Sequence, residues 1–321
     1  MPLDRTGHYD TPDILSLQRD LDWIQQSPFL YQSATVNPAP ATRLSRLGAV
    51  CANNPAPLQN LLSDALKRPR LGYYYEQLLG FLLTSAPEID SVLQNIPVQG
   101  EARTLGEFDI LLRSATSLQC QHWEVAIKYY LGIPPCDHEY HWVGPGLRDR
   151  LDIKLDRLRH HQMRLAQTEE GKRVLIDCGF WPISSAVLVK GYLFHPLPQW
   201  YDNKTITAGT INPAHLKGWW ATITQWQDHF LHSTSAQDGI RWVVLHKPCW
   251  LAPAHQSEAY CLSAERLYKE IAAAAEKQPV MVAALQPAKN AHMTEIHRGF
   301  IVPDLWPTQA KQIANPAPLN A

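Results

Sequence analysis

Apolar and polar positions alternate most strictly between Gly106 and Leu131, GEFDILLRSATSLQCQHWEVAIKYYL. A period of two on both sides of a short polar turn predicts a β-hairpin. Phe108, Ile110 and Leu112 are expected on one face, with Trp123, Val125, Ile127 and Tyr129 of the returning strand. Glu107, Asp109, Glu124 and Lys128 fall on the opposite face. A turn centred between Thr116 and Ser117 sets Asp109 directly across from Glu124, where facing Cβ atoms lie roughly 5 Å apart.

A period near 3.6 marks the helices. Thr11-Pro12-Asp13 reads as a helix start, with Ile14, Leu17, Leu21 and Ile24 following at helical spacing. A Pro/Ala-rich connector at 37–41 and the Asn53-Asn54-Pro55 break divide an N-terminal region of short helices that ends near Pro69. Leu71 to Thr84 is the next helix, with Leu71, Tyr75, Leu78, Leu79 and Leu82 as its buried stripe. Leu147 to Gln167 carries the longest stripe, Leu147, Leu151, Leu155, Leu158 and Leu165.

Val98-Gln99 is expected to open a short strand, and Ala186 to His195 to form another. Further on we expect a helix over Leu216–Leu231, a strand over Arg241–His246 and a helix from Ala264 to Lys277 capped by Ser263. Strands at Val280–Leu285 and Ile296–Val302 finish the pattern, and Ile313–Ala321 reads as a tail. The order helix, strand, hairpin, helix, strand between 71 and 195 is that of a mixed α and β core. A break near Leu197 to Asn203 separates it from the C-terminal part.

Charge changes the picture little. The formal net charge is −1, so the whole molecule has no electrostatic bias toward nucleic acid. That argues against a protein that coats DNA more than against an enzyme whose basic groups line one groove. The six cysteines are scattered with no CxxC pair, which reads as free thiols rather than a disulfide framework. MPLDRTGHYD lacks the pattern of an export signal and no apolar run reaches membrane-spanning length, so a cytoplasmic protein without a membrane partner is expected. Walker A, GxGxxG and GxSxG motifs are absent, which leaves NTPase, dinucleotide-dehydrogenase and common hydrolase readings without support.

The hairpin carries the candidate chemistry. Two opposed carboxylates repel unless something positive lies between them, and a divalent cation with a lysine nearby is the natural candidate. Asp109 and Glu124 would hold a hard cation such as Mg²⁺ or Mn²⁺, and Lys128 would orient water or counter charge on a phosphate. The same polar face is also what a solvated antiparallel hairpin presents. Glu76, within YYYEQLLG, and Glu107 are candidate further ligands. On the following helix Arg150, Lys154, Arg157, His161 and Arg164 are spaced 4, 3, 4 and 3 residues apart, a basic stripe suited to a phosphate backbone or to local ion pairs with Asp152 and Asp156. Cys136, His138 and His141 form a conceivable zinc set whose spacing fits no zinc motif. Trp219, Trp220 and Trp226 read most simply as core.

These motifs resemble known sequences. GEFDILL is similar to the second strand, and HWEVAIKYYL to the third, of Holliday-junction-resolvase-like members of the PD-(D/E)XK nuclease superfamily. RLGYYYEQLLGFLL, RTLGEFDILLR, HWEVAIKYYLG, GPGLRDRLDIKLDRLRHHQ, GYLFHP and RGFIVPDLWP resemble the bacterial family catalogued as domain of unknown function 1853. The superfamily resemblance implies an α/β, restriction-endonuclease-like core of helix, three-stranded meander, helix and strand over 71–200. An N-terminal helical extension (1–70) and a C-terminal α/β elaboration (201–321) would flank it. It implies Asp109 as the second-strand metal ligand, Lys128 as the third-strand lysine and Glu76 as the acid on the first helix. The expected function is Mg²⁺- or Mn²⁺-dependent hydrolysis of nucleic acid. One position departs: the usual acid two residues before the lysine is Ala126, and Glu124 stands one strand repeat, roughly 6.6 Å, further away. An inactive nuclease fold kept for nucleic-acid or protein binding is the alternative. Asp109 and Glu124 carboxylates close together and open to solvent would favour the enzyme.

Overall fold

In the computed structural model, residues 8–9, 13–31, 55–68, 70–158, 163–231, 239–288 and 292–314 are described. Thr11, Pro12, the 37–41 connector, Asn53, Asn54, Pro69, His160, His161 and the tail beyond Ala314 lie outside them. The described strands are β1 (His8–Tyr9), β2 (Ile89–Gln99), β3 (Thr104–Ser114), β4 (Cys120–Gly132), β5 (Trp142–Val143), β6 (Ile183–Pro196), β7 (Leu216–Thr222), β8 (Arg241–Leu245), β9 (His255–Ser257), β10 (Val280–Pro287) and β11 (His292–Val302). They form one mixed sheet in the order β1-β8-β10-β11-β7-β6-β4-β3-β2, with β5 on β4 and β9 on β11. The helices are α1 (Ile14–Gln26), α2 (Pro55–Ala65), α3 (Leu71–Thr84), α4 (Leu151–Arg157), α5 (Glu169–Asp177), α6 (Leu197–Tyr201), α7 (Ile223–Phe230), α8 (Ala264–Ala275) and α9 (Trp306–Ala314).

Local chemistry sets these elements as expected in several places. Asp13 caps α1, its carboxylate accepting from Ser16 N–H at 2.7 Å while Ser16 Oγ accepts from Asp13 N–H. Helix α3 has the expected bounds, and Ser263 caps α8. The meander β2-β3-β4 is antiparallel, and β6 returns parallel to β4 after α4 and α5. Ile110 pairs with Trp123 and Arg113 with Cys120, the register that the turn requires, and the ladder ends one position short of Asp109 and Glu124. Gly191 is needed where β6 crosses Lys128: its φ is +136° and a Cβ there would collide with the Lys128 carbonyl.

Four expectations are corrected. Leu216–Thr222 is a strand, not the start of a helix; Trp219 and Trp220 are buried on opposite faces, which suits a central strand. Strand β2 runs over eleven residues; it is a half-exposed edge strand whose apolar residues do not alternate strictly. The helix expected from Leu147 begins at Leu151, because Leu147 takes a left-handed conformation (φ +59°) after the Gly-Pro-Gly turn. Phe108 does not join Ile110 and Leu112. It packs with Leu111, Val98, Leu175 and Phe180 on the other side of the sheet.

Helices cover both faces. The largest apolar cluster gathers side chains from Leu17 to Ala314, including α1, α2, α3 and α9. Leu151 and Leu155 of α4, Leu175 of α5 and Leu267 and Ile271 of α8 belong to clusters separate from that one. The sheet continues through the β6–β7 pairing, so residues 71–200 and 201–321 share one sheet and one core. No helix among the described residues is long and apolar enough to cross a membrane.

Candidate functional site

The β3–β4 ladder stops pairing at Ile110 and Trp123, just where the two acids begin. There the Asp109 side chain takes over the role of a strand partner, its Oδ2 accepting Val125 N–H at 2.9 Å. This fixes the carboxylate against β4. The Glu124 carboxyl lies close enough to Asp109 to bear on its ionisation. The two acids that the sequence pattern paired thus lie side by side where the ladder ends.

The surroundings work against ionisation. Burial raises the Asp109 pKa, opposed by the Val125 N–H, the Glu124 carboxyl and Lys154, and Glu107 adds to the rise. The Glu124 side chain is only 2% exposed, with its Oε2 3.8 Å from Nε2 of His122. Burial lowers His122 to about 4, so at neutral pH that ring brings no positive charge to the acid. Glu76 of α3 is raised to about 7 by burial, then by the charges of Asp109 and Glu107. Four carboxyl groups thus gather where β3 and β4 part.

Two lysines answer it differently. Lys154, from the first turns of α4, lies among Glu124, Lys128, Asp109 and Asp149, and its pKa is lowered chiefly by burial. Lys128 extends from β4 to Asp149, Nζ donating to Oδ2 at 2.6 Å, and Tyr130 Oη donates to the same oxygen at 3.1 Å. Ala126, at the usual acid position, packs with Tyr130, Leu155 and Val187 in an apolar cluster. An acid there would be buried against aliphatic carbon.

The basic stripe is not continuous in space. The Arg150 guanidinium is held by both Asp152 oxygens at 2.6 and 2.9 Å and donates to the Ile313 carbonyl at 2.7 Å. Lys154 faces the acids, Arg157 is exposed at the end of α4, and Arg164 is exposed on a separate short turn, Met163–Leu165. His161 lies outside the described residues. Sequence reasoning missed Asp149 and the inward role of Lys154; no apolar periodicity marks either, since both are set by the turn before α4.

Among the described residues, three potential ligand atoms lie within 4.8 Å of one another only at Asp137, His138 and His141. Glu76 and Glu107 therefore do not close a three-residue set with Asp109 and Glu124. Cys136 takes no part in the histidine group: it is buried, and its thiol is pushed up to about 12 by burial and then by Asp137.

Comparison with known proteins yields one match. No curated protein and no solved structure is matched by the chain. Residues 19–302 match the family described as Domain of unknown function (DUF1853), and the chain belongs to that family.

Proposed function

We propose that the protein is a metal-dependent phosphodiesterase acting on nucleic acid, built on a restriction-endonuclease-like core. The observation that carries this reading is the Asp109–Glu124 carboxyl contact where β3 and β4 part, with Lys154 and Lys128 beside it. The sequence of elements α3, β2-β3-β4, α4–α5 and a β6 parallel to β4 supports the fold assignment.

The donor set suits Mg²⁺ or Mn²⁺: hard carboxylate oxygens, partly buried, under a negative field with too few cations. Asp109 and Glu124 would hold the ion, with the Glu76 carboxylate reinforcing the field. A divalent cation bound there supplies Lewis-acid polarisation of a phosphoryl oxygen and an activated water. The chain's own groups do the rest. The Val125 N–H keeps Asp109 aimed at Glu124. Lys128, fixed by Asp149 yet part-exposed, orients water or counters charge on the phosphate. Burial raises the Asp109 pKa, and a proton there must leave before the acids can bind a cation, so affinity should rise with pH.

A second reading, an inactive nuclease fold kept for binding, is favoured by the near-complete burial of Glu124 and by Ala126 at the usual acid position. Calorimetric titration of Mg²⁺ and Mn²⁺ into the wild type and Asp109→Ala separates the two. Micromolar to millimolar binding that is lost in the variant is the expected result. Absence of heat in both proteins would end the catalytic reading and leave the binding one.

A further inference from the structure

Two recesses lie side by side beyond Lys128. The first, about 310 Å³, is formed by the start of α3, the C-terminal half of β4 and the loop after β8. The second, about 480 Å³, lies between the Gly-Pro-Gly turn, the end of α8 and α9. Pro145, Lys247 and Trp250 line both, so they form one continuous cleft. Its walls hold five cations, Arg70, Lys128, Arg148, Lys247 and Lys277, and no carboxylate, although Lys128 is paired with Asp149 behind the wall. In a chain of net charge −1 this is a strong local excess. Sequence spacing could not show it, because the five residues come from five separate segments.

The floor of the cleft is a rigid aromatic surface. The Trp250 indole N–H donates to the Leu245 carbonyl at 2.9 Å, and its own carbonyl accepts from Tyr129 Oη at 2.9 Å and from the Arg298 guanidinium. Lys247 Nζ lies over the Trp250 ring, 4.6 Å from its centroid, so a cation is held against the aromatic face. Cations beside a fixed aromatic surface are what a phosphate-linked strand of exposed bases binds. Recesses of a few hundred Å³ are scaled to small organic groups. They take in single nucleotides rather than a base-paired helix.

We propose that this cleft binds single-stranded nucleic acid and leads the strand to Lys128 and the acid pair. The proposal rests on the phosphodiesterase reading for its direction but makes its own prediction about binding. It assigns the grip on phosphate to the cleft, with Lys247 and Lys277 of the C-terminal part among its cations, rather than to the stripe on α4.

The test is fluorescence anisotropy in EDTA, where no hydrolysis occurs, with fluorescein-labelled oligo-dT, oligo-U and a mixed-sequence duplex of equal length. At least one single strand should bind at least tenfold more tightly than the duplex. Lys247→Glu combined with Lys277→Glu, both at exposed side chains, should weaken it at least tenfold and reduce the salt slope by about 1.4, the value for two lost contacts to a single strand. Arg157→Glu combined with Arg164→Glu should change it less than twofold. Equal or tighter duplex binding, no binding of any probe, or an unchanged Lys247/Lys277 variant would overturn the proposal. Failure of Mg²⁺ binding leaves strand binding standing, and failure of strand binding leaves the metal titration standing, so the two readings fall separately.

Discussion

Two groups of buried charge sit in this sheet, one on β3 and β4 and one on β11, and they are built on opposite terms. Arg298 of β11 is 1% exposed and its partner Glu295 6%. Every nitrogen of the guanidinium is used: Nε and Nη2 donate to the two Glu295 oxygens at 2.6 and 2.8 Å, and Nη1 and Nη2 donate to the carbonyls of Trp250 and Ala252. Glu295 also accepts Ala254 N–H at 2.7 Å. Around Asp109 and Glu124, by contrast, acids outnumber the cations, Asp109 and Glu76 are raised and Lys154 is lowered. A satisfied network is what structure needs; an unsatisfied one, kept at a cleft mouth, is what a ligand-binding site looks like. The first group also serves the second, because Arg298 and Tyr129 hold the Trp250 carbonyl and with it the floor of the cleft.

The same isosteric change should therefore act in opposite directions. Glu295→Gln leaves the Arg298 charge buried without its counter-ion, and loss of one partner of such a pair costs about 3–5 kcal/mol. Urea denaturation at neutral pH should register that loss. A cost below about 1 kcal/mol would mean that water or a neighbouring group replaces Glu295, and the contrast between the two regions would collapse.

Glu124→Gln should behave in the reverse way. Its amide is neutral and can donate, so Asp109 can ionise against one fewer acid. We expect stability to stay level or rise by up to about 1 kcal/mol, while Mg²⁺ affinity falls at least tenfold by calorimetry. A destabilisation as large as that of Glu295→Gln would make the acid pair a structural element and remove the argument for a metal site.

The two regions also differ in how far the sequence revealed them. Asp109 and Glu124 were legible because alternation and turn position fix a hairpin register, and register is a local property. Their electrostatic setting was not, because Lys154 and Asp149 arrive from the turn and helix after β4. Phe108 was misplaced for a related reason. β4 parts from β3 just beyond Ile110 while β2 stays paired through Phe108, so the hairpin pattern alone did not fix the face of Phe108. Leu216–Thr222 read as helix because Leu216, Trp219, Trp220 and Ile223 also fit helical spacing; burial on both faces is a tertiary fact. Strand β2 was nearly invisible because an edge strand has little to bury. The cleft and the Arg298 network join segments far apart in the chain, and no single-segment pattern encodes such contacts.

The finest distinction between the regions is in pH dependence. Glu76 titrates near 7 in the folded protein, against an ordinary value of 4.5, because burial and then Asp109 and Glu107 disfavour its charge. A raised folded pKa means that the native state holds its proton longer than the unfolded chain does. The stabilising contribution is complete below the unfolded value and is lost as pH rises through about 7. Asp20, raised to about 6 by burial, moves stability the same way, and the lowered His122 and His215 move it the other way, so the wild-type curve alone does not isolate Glu76. The difference between wild type and Glu76→Gln does. From about pH 5 to about pH 8 the wild type should lose up to about 1 kcal/mol more than the variant, solvent screening included. Saturating Mg²⁺ should shrink that gap, because a cation among the acids removes the reason for Glu76 to keep its proton. Parallel urea-denaturation curves for the two proteins across that range would show that Glu76 does not share the field of Asp109, and would take the first-helix acid out of the site.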